Sequence, residues 1–161
     1  MDRFPGRYVG TVVDNDDPKG LCRLKATVPE VLGAETSGWC LPSLPFAGDG
    51  VGLAMVPPAG AVVFVEWPAG DPARVPVWSG AAWADGTGVP GAAPDRILLV
   101  TTAGNRLEIR DTDDDEAIVL TAASGAEITL DSAGVSVVFG GQSMTITDSS
   151  ISFNDGALEI S

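Results

Sequence analysis

The sequence predicts an all-β protein built of two unlike halves. Three observations lead there. Gly (20) and Pro (12) punctuate the 161 residues at short intervals. Between them lie short runs rich in Val, Ile, Leu and Thr. No segment carries the 3.6-residue apolar period of a helix.

In the first half, strands are expected at Tyr8–Asp14, Leu21–Val28, Trp39–Leu44, Gly52–Val56, Ala61–Trp67 and Val75–Ser79. Asn15-Asp16-Asp17-Pro18-Lys19-Gly20 reads as a hairpin connection. Pro57-Pro58-Ala59-Gly60 and Ala69-Gly70-Asp71-Pro72 read as turns. Short strands at this spacing suit a small barrel or sandwich, and five of them fit a Greek-key OB barrel. That domain is placed at residues 1–83. Residues 84–96, with Gly86, Gly88, Pro90, Gly91 and Pro94, read as a linker.

Residues 97–161 form an internal repeat. Apolar-x-apolar triplets recur at Leu107/Ile109, Ile118/Leu120, Ile128/Leu130, Val135/Val137, Met144/Ile146, Ile151/Phe153 and Leu158/Ile160. Their starts are 7 to 11 residues apart, with Gly, Asp, Ser and Asn in the gaps. Each unit reads as one short strand with one apolar face and a tight turn. A lone ribbon of this kind leaves its apolar face wet and its edges unpaired. A single-chain solenoid needs a coil period of about 20 residues or more. Shorter units suit an assembly in which each chain supplies one wall. Three copies around an axis are the simplest closed solution. The expected architecture is therefore a homotrimer with an intertwined triple-stranded β-helix, or β-prism, at residues 97–161. Its axis core is assigned to Ile128, Leu130, Val135, Val137, Met144, Ile146, Ile151, Phe153, Leu158 and Ile160.

Charge narrows the function. Nine Lys+Arg face 22 Asp+Glu, for a net charge of −13. Residues 91–161 hold −9 of it. Nucleic-acid phosphates repel such a chain, as does an anionic membrane surface. Histidine is absent, which closes Ser-His-Asp triads, Cys-His dyads and His-ligated metal sites. Mean hydropathy is +0.21, against the pattern of disordered chains. The charge-free run Gly50 to Val65, as long as any in the chain, is broken by Pro57, Pro58 and Gly60, so it does not suit a membrane span. The N-terminus, Met1-Asp2-Arg3-Phe4-Pro5, has no signal-peptide core.

No motif carries catalysis, and no catalytic residue, metal or cofactor is assigned. Cys22 and Cys40 read as small reduced side chains, with a single bridge left open. The acidic run Asp111-Thr112-Asp113-Asp114-Asp115-Glu116 lacks the Gly and distant Glu of an EF-hand and reads as a solvated turn. The repeat half has only Phe139 and Phe153 as aromatics, too few to stack sugar rings for glycoside hydrolysis. The four Trp of the first half read as core or interface residues. An alternative is a carbohydrate platform, which would make the chain a trimeric polysaccharide-binding tail fibre or adhesin module.

One further pattern runs through residues 8–80. Tyr8-Val9-Gly10-Thr11-Val12-Val13 precedes Asp17-Pro18-Lys19-Gly20-Leu21-Cys22-Arg23-Leu24-Lys25-Ala26-Thr27-Val28-Pro29. Trp39, Gly48-Asp49-Gly50 and Val56-Pro57-Pro58-Ala59-Gly60-Ala61-Val62-Val63-Phe64-Val65 follow. Gly70-Asp71-Pro72-Ala73-Arg74-Val75-Pro76-Val77-Trp78-Ser79-Gly80 closes the series. This order resembles the OB domain of the phage baseplate central spike family, also called baseplate assembly protein V. The spikes of VgrG proteins and of contractile injection systems are related. The repeat half resembles that family's trimeric needle.

The resemblance implies a non-enzymatic, membrane-piercing central spike, assembled in the cytoplasm and carried on a virion or injection-particle baseplate. It implies a separate hub protein, because the hub domain of VgrG is missing. Some members end in an iron-binding His-x-His, which this chain cannot supply. The pattern instead runs to Leu158-Glu159-Ile160-Ser161. A PAAR-type tip protein is therefore expected on Glu159, Ile160 and Ser161. The target membrane is a transient partner only.

Overall fold

A computed structural model describes residues 3–160. The chain divides into two compact units, residues 1–87 and 88–161.

The N-terminal unit contains β1 (Tyr8–Asp14), β2 (Lys25–Thr27), α1 (Pro29–Leu32), β3 (Leu41–Pro42), β4 (Ala47–Gly48), β5 (Val51–Gly52), β6 (Val62–Glu66) and β7 (Val77–Ala82). Its main sheet has the order β2-β1-β6-β7-β3. The β3–β7 pair is parallel and the others are antiparallel. An antiparallel bridge between Leu24 and Cys40 then joins the two ends of the order, with Cys40 N–H donating to Leu24 O at 2.8 Å. The sheet thus curls back on itself as a five-stranded barrel, the OB arrangement expected from the strand spacing. A register shift between Val63 and Phe64, opposite Gly80 (φ 58°), sharpens the curl.

The inward positions of these strands make the core. Val12, Leu24, Ala26, Val28, Cys40, Val63, Val65, Trp67 and Trp78 are buried together. Gly10 lies among them for a steric reason. A Cβ there would stand 3.0 Å from Thr27 O and 3.2 Å from Val28 Cγ2 and Val65 Cγ2. Trp78 Nε1 donates to Cys22 O at 3.0 Å, so the indole's polar atom is satisfied inside the barrel. Both cysteines are free, and burial raises the pKa of the Cys40 thiol.

Several expected strands are shorter than the sequence indicated. Cys22 sits in the left-handed region (φ 58°), so the segment Leu21–Val28 pairs only from Leu24 onward. Pro42 lacks an N–H, and β3 ends there. Gly52–Val56 is not a strand. Asp49-Gly50 turns a two-residue hairpin between β4 and β5; beyond it Leu53 N–H still donates to Phe46 O, but residues 53–56 form no strand. The one-turn helix α1 was not expected. It opens on Pro29, which suits a first helical position, and stops at Gly33 (φ 58°).

The C-terminal unit contains β8 (Arg96–Val100), β9 (Arg106–Arg110), β10 (Ala117–Thr121), β11 (Glu127–Asp131), β12 (Gly134–Phe139), β13 (Gln142–Ile146), β14 (Ile151–Phe153) and β15 (Leu158–Ile160). They form one antiparallel meander, in which every strand pairs with its sequence neighbours. β8 was not foreseen, and its first residue, Arg96, lies inside the expected linker. Its run Ile97-Leu98-Leu99-Val100 is apolar at every position, so no alternation marks it.

Turn chemistry fixes the meander's register. Gly140-Gly141, both at positive φ (57° and 86°), joins β12 to β13. Gly134 (φ 135°) opens β12 where a Cβ would lie 2.0 Å from Ile146 O. Gly134→Ala must therefore push β13 away from β12. The expected result is local loss of that pairing, read as faster amide exchange at Ser136, Thr145 and Ile146. Unchanged exchange would show that the hairpin relaxes around the methyl group.

Candidate functional site

The register of the meander brings distant residues together. Ile97, Ile109, Ile118, Leu130, Val135, Ile146, Ile151 and Ile160 stand side by side across all eight strands. Leu99, Leu107, Leu120, Ile128, Val137, Met144, Phe153 and Leu158 form a parallel column two residues away. Alternation along a strand puts both columns on one face of the sheet. The ten residues assigned to the axis core all lie in these columns. The other six extend the columns over β8, β9 and β10. Four of those six were visible as repeat triplets, whereas Ile97 and Leu99 were hidden in the apolar run of β8.

Among the described residues of this unit, nothing covers the face. Ile97 is 62% exposed, Leu158 58% and Ile160 57%, and none of the sixteen is buried. Among the described residues of this unit only Ala117 and Val119 are buried, and they belong to the opposite face. There Arg96 Nη1 and Arg106 Nε meet the Glu108 carboxylate at 3.3 and 3.0 Å. Farther along that face the register sets Thr129, Ser136, Thr145 and Ser152 side by side. One face is thus uncharged and apolar, and the other is polar. Leu99, Leu107, Leu120, Ile128, Val137 and Phe139 line a concave trough on the apolar side. A surface of this size and composition marks an association site.

The expected tip residues lie at the β15 edge of the sheet. Ile160 belongs to the first apolar column, and the backbone of Glu159 is in register with Ser152. Ser161 lies outside the described residues.

The sequence signature of the first half also converges in space. Asp17 accepts backbone N–H groups from Lys19, Leu21 and Arg23, and its carboxylate takes a forked contact from the Arg23 guanidinium. Arg23 stands 5.2 Å and Lys25 Nζ 4.4 Å from the Trp39 ring centre. Lys25 also pairs with Asp14 at 2.9 Å. The spaced Asp, Gly, Arg and Trp positions are therefore one device, which locks the β1–β2 connection onto the barrel wall. Of the four Trp, Trp67 and Trp78 are core, Trp39 lies under two cations and Trp83 is 67% exposed. One exposed indole makes no stacking platform for a polysaccharide.

The Arg23 guanidinium, helped by the three N–H donors, holds the Asp17 carboxyl well below the usual carboxylate range. The stability this contributes is present above the unfolded-state pKa, about 3.9. It is lost as pH falls from there toward the lower folded value. The barrel should lose stability below about pH 4, where unfolded Asp begins to take up protons. Asp17→Asn should be less stable at neutral pH and should lose that part of the acid slope, read by urea unfolding at pH 7 and pH 3. Equal slopes in the two proteins would contradict the assignment.

Two family models match the chain. Residues 8–83 match the type VI secretion system/phage-baseplate injector OB domain. Residues 96–159 match the phage baseplate V C-terminal trimerisation domain. A search of curated proteins found no match. The barrel order fits the first description, and the sheet with an uncovered apolar face fits the second. The chain belongs to the phage baseplate V spike family, whose members are structural baseplate proteins, and residues 96–159 are its trimerisation domain.

Proposed function

We propose that three copies of this chain form the central spike of a contractile tail or injection machine, and that the spike is driven through the target envelope. The carrying observation is the C-terminal sheet, with two unbroken apolar columns and no core of its own. Three such sheets, wound as a triple-stranded β-helix with their apolar faces inward, bury all sixteen positions around a shared axis. The polar rows and the acidic turn 111–116 then face water and keep the needle soluble. Strands about 4.8 Å apart give an eight-stranded sheet roughly 34 Å across its strands. That is comparable to a bilayer hydrocarbon core of about 30 Å. Wound chains resist opening because no wall can leave without separating from two others.

In this reading the barrels join a separate hub protein at the tail tube, and a PAAR-type protein caps the opposite end. Support for the cap is the β15 edge, whose outer backbone groups have no strand beside them among the described residues. A pull-down with a PAAR-type protein tests it. The full trimer should retain the tip protein, and a trimer lacking residues 155–161 should not. Equal retention by both would refute the cap.

A further inference from the structure

Two apolar surfaces of the N-terminal unit are left uncovered by the described residues of that unit. One is an arm, residues 45–58, that carries β4 and β5. Phe46 is 59% exposed, Val51 58%, Leu53 43% and Met55 53%. Beyond the β4–β5 pairing, its contacts are few. Leu53 N–H donates to Phe46 O at 3.0 Å, and Asn15 Nδ2 donates to Pro57 O at 3.0 Å. The other surface is the outer wall of the barrel on β1 and β6. Cross-strand neighbours there are Val9 with Phe64 and Thr11 with Val62, and Val62 continues to Ala82 on β7. Val9 and Val13 are exposed and Phe64 is part-exposed.

We infer that in the trimer the arm of each copy lies on the β1–β6 wall of the next. This rests on the trimer assigned above, and three arguments carry it. First, the trimerisation domain supplies the second and third copies. The segment joining the units keeps their barrels together at an effective concentration on the order of millimolar. Second, neighbours around a threefold axis meet through two different patches of the same chain, and three identical contacts of that kind close a ring. The arm and the wall are two such patches. Third, chains of −13 each repel one another. Asp49, in the hairpin turn, is the one charged residue of the arm, and Val9, Thr11, Val13, Val62, Phe64 and Ala82 carry no charge. These patches can approach without opposing like charges.

Met55 provides the test. Peroxide converts an accessible Met to the sulfoxide, and burial slows the reaction. The purified full chain, with no hub protein added, is oxidised and mapped by peptide, and its mass is measured on the same sample. Met55 should react several-fold more slowly in the wild-type trimer than in Phe46→Asp or Val9→Glu trimers. Val9→Glu changes the wall and leaves the arm intact, so it guards against an arm that merely misfolds. A wild-type trimer whose Met55 reacts as fast as in the variants overturns the inference and leaves the trimer standing. Slow Met55 in Val9→Glu puts the arm elsewhere, and protection only after a hub protein is added gives the arm to that partner. Either result overturns it. A monomer overturns it together with the trimer.

Discussion

Ile128→Glu should convert the trimer into 16.4 kDa chains. Ile128 stands in the second apolar column with Leu120 on one side and Val137 on the other. Threefold assembly brings three copies of the new carboxylate to one level of the axis. Each unpaired buried charge costs several kcal/mol, and the three also repel. Protonation offers only partial relief at neutral pH, because three adjacent acids must all stay neutral. Thr129→Glu is the control, one residue away on the polar row. It should leave the mass unchanged. Loss of the trimer in both variants would show that the effect belongs to the strand and not to its apolar face.

The second large effect concerns the barrel. Trp78→Ala removes a side chain that is 4% exposed and leaves Cys22 O without its indole donor. Deletion of a buried Trp costs about 3–5 kcal/mol. That is a large share of the roughly 5–15 kcal/mol that holds a domain together. In urea, the transition of the N-terminal unit should move to much lower concentration while the mass stays that of the trimer. Trp83→Ala, at an exposed position, should shift it by less than about 0.5 kcal/mol. A small shift for Trp78→Ala would mean that the barrel core does not depend on this indole.

Different parts of the architecture were legible for different reasons. The repeat was readable because alternation has a period of two and Gly, Ser and Asp mark each turn. Once every strand pairs with its neighbour through short turns, the triplets must fall into columns. Val135 opposite Ile146 and Met144 opposite Phe153 follow from spacing alone. β8 escaped because Leu98 is apolar where alternation requires a polar residue. Its neighbours across the ladder are Glu108 and then Val119, so this row mixes apolar and charged residues and is uniformly polar only from Thr129 onward. In the barrel, β1 was placed to the residue, since Val12 faces inward and Val9, Thr11 and Val13 outward. The arm was misread as a strand because Leu53, Met55 and Val56 have strand-like character. Only tertiary context reveals that no strand extends beyond Gly52 there. The Asp17–Arg23–Trp39 lock was present as spaced letters, but its convergence depends on the left-handed turn at Cys22, which sequence periodicity does not encode.

The central claim is that an incomplete sheet is completed by two more copies. Light scattering on the purified chain tests it most directly. The account predicts one species at three times 16.4 kDa, which stays assembled in SDS until heated. A well-folded species of 16.4 kDa, with its apolar columns in water, would contradict it.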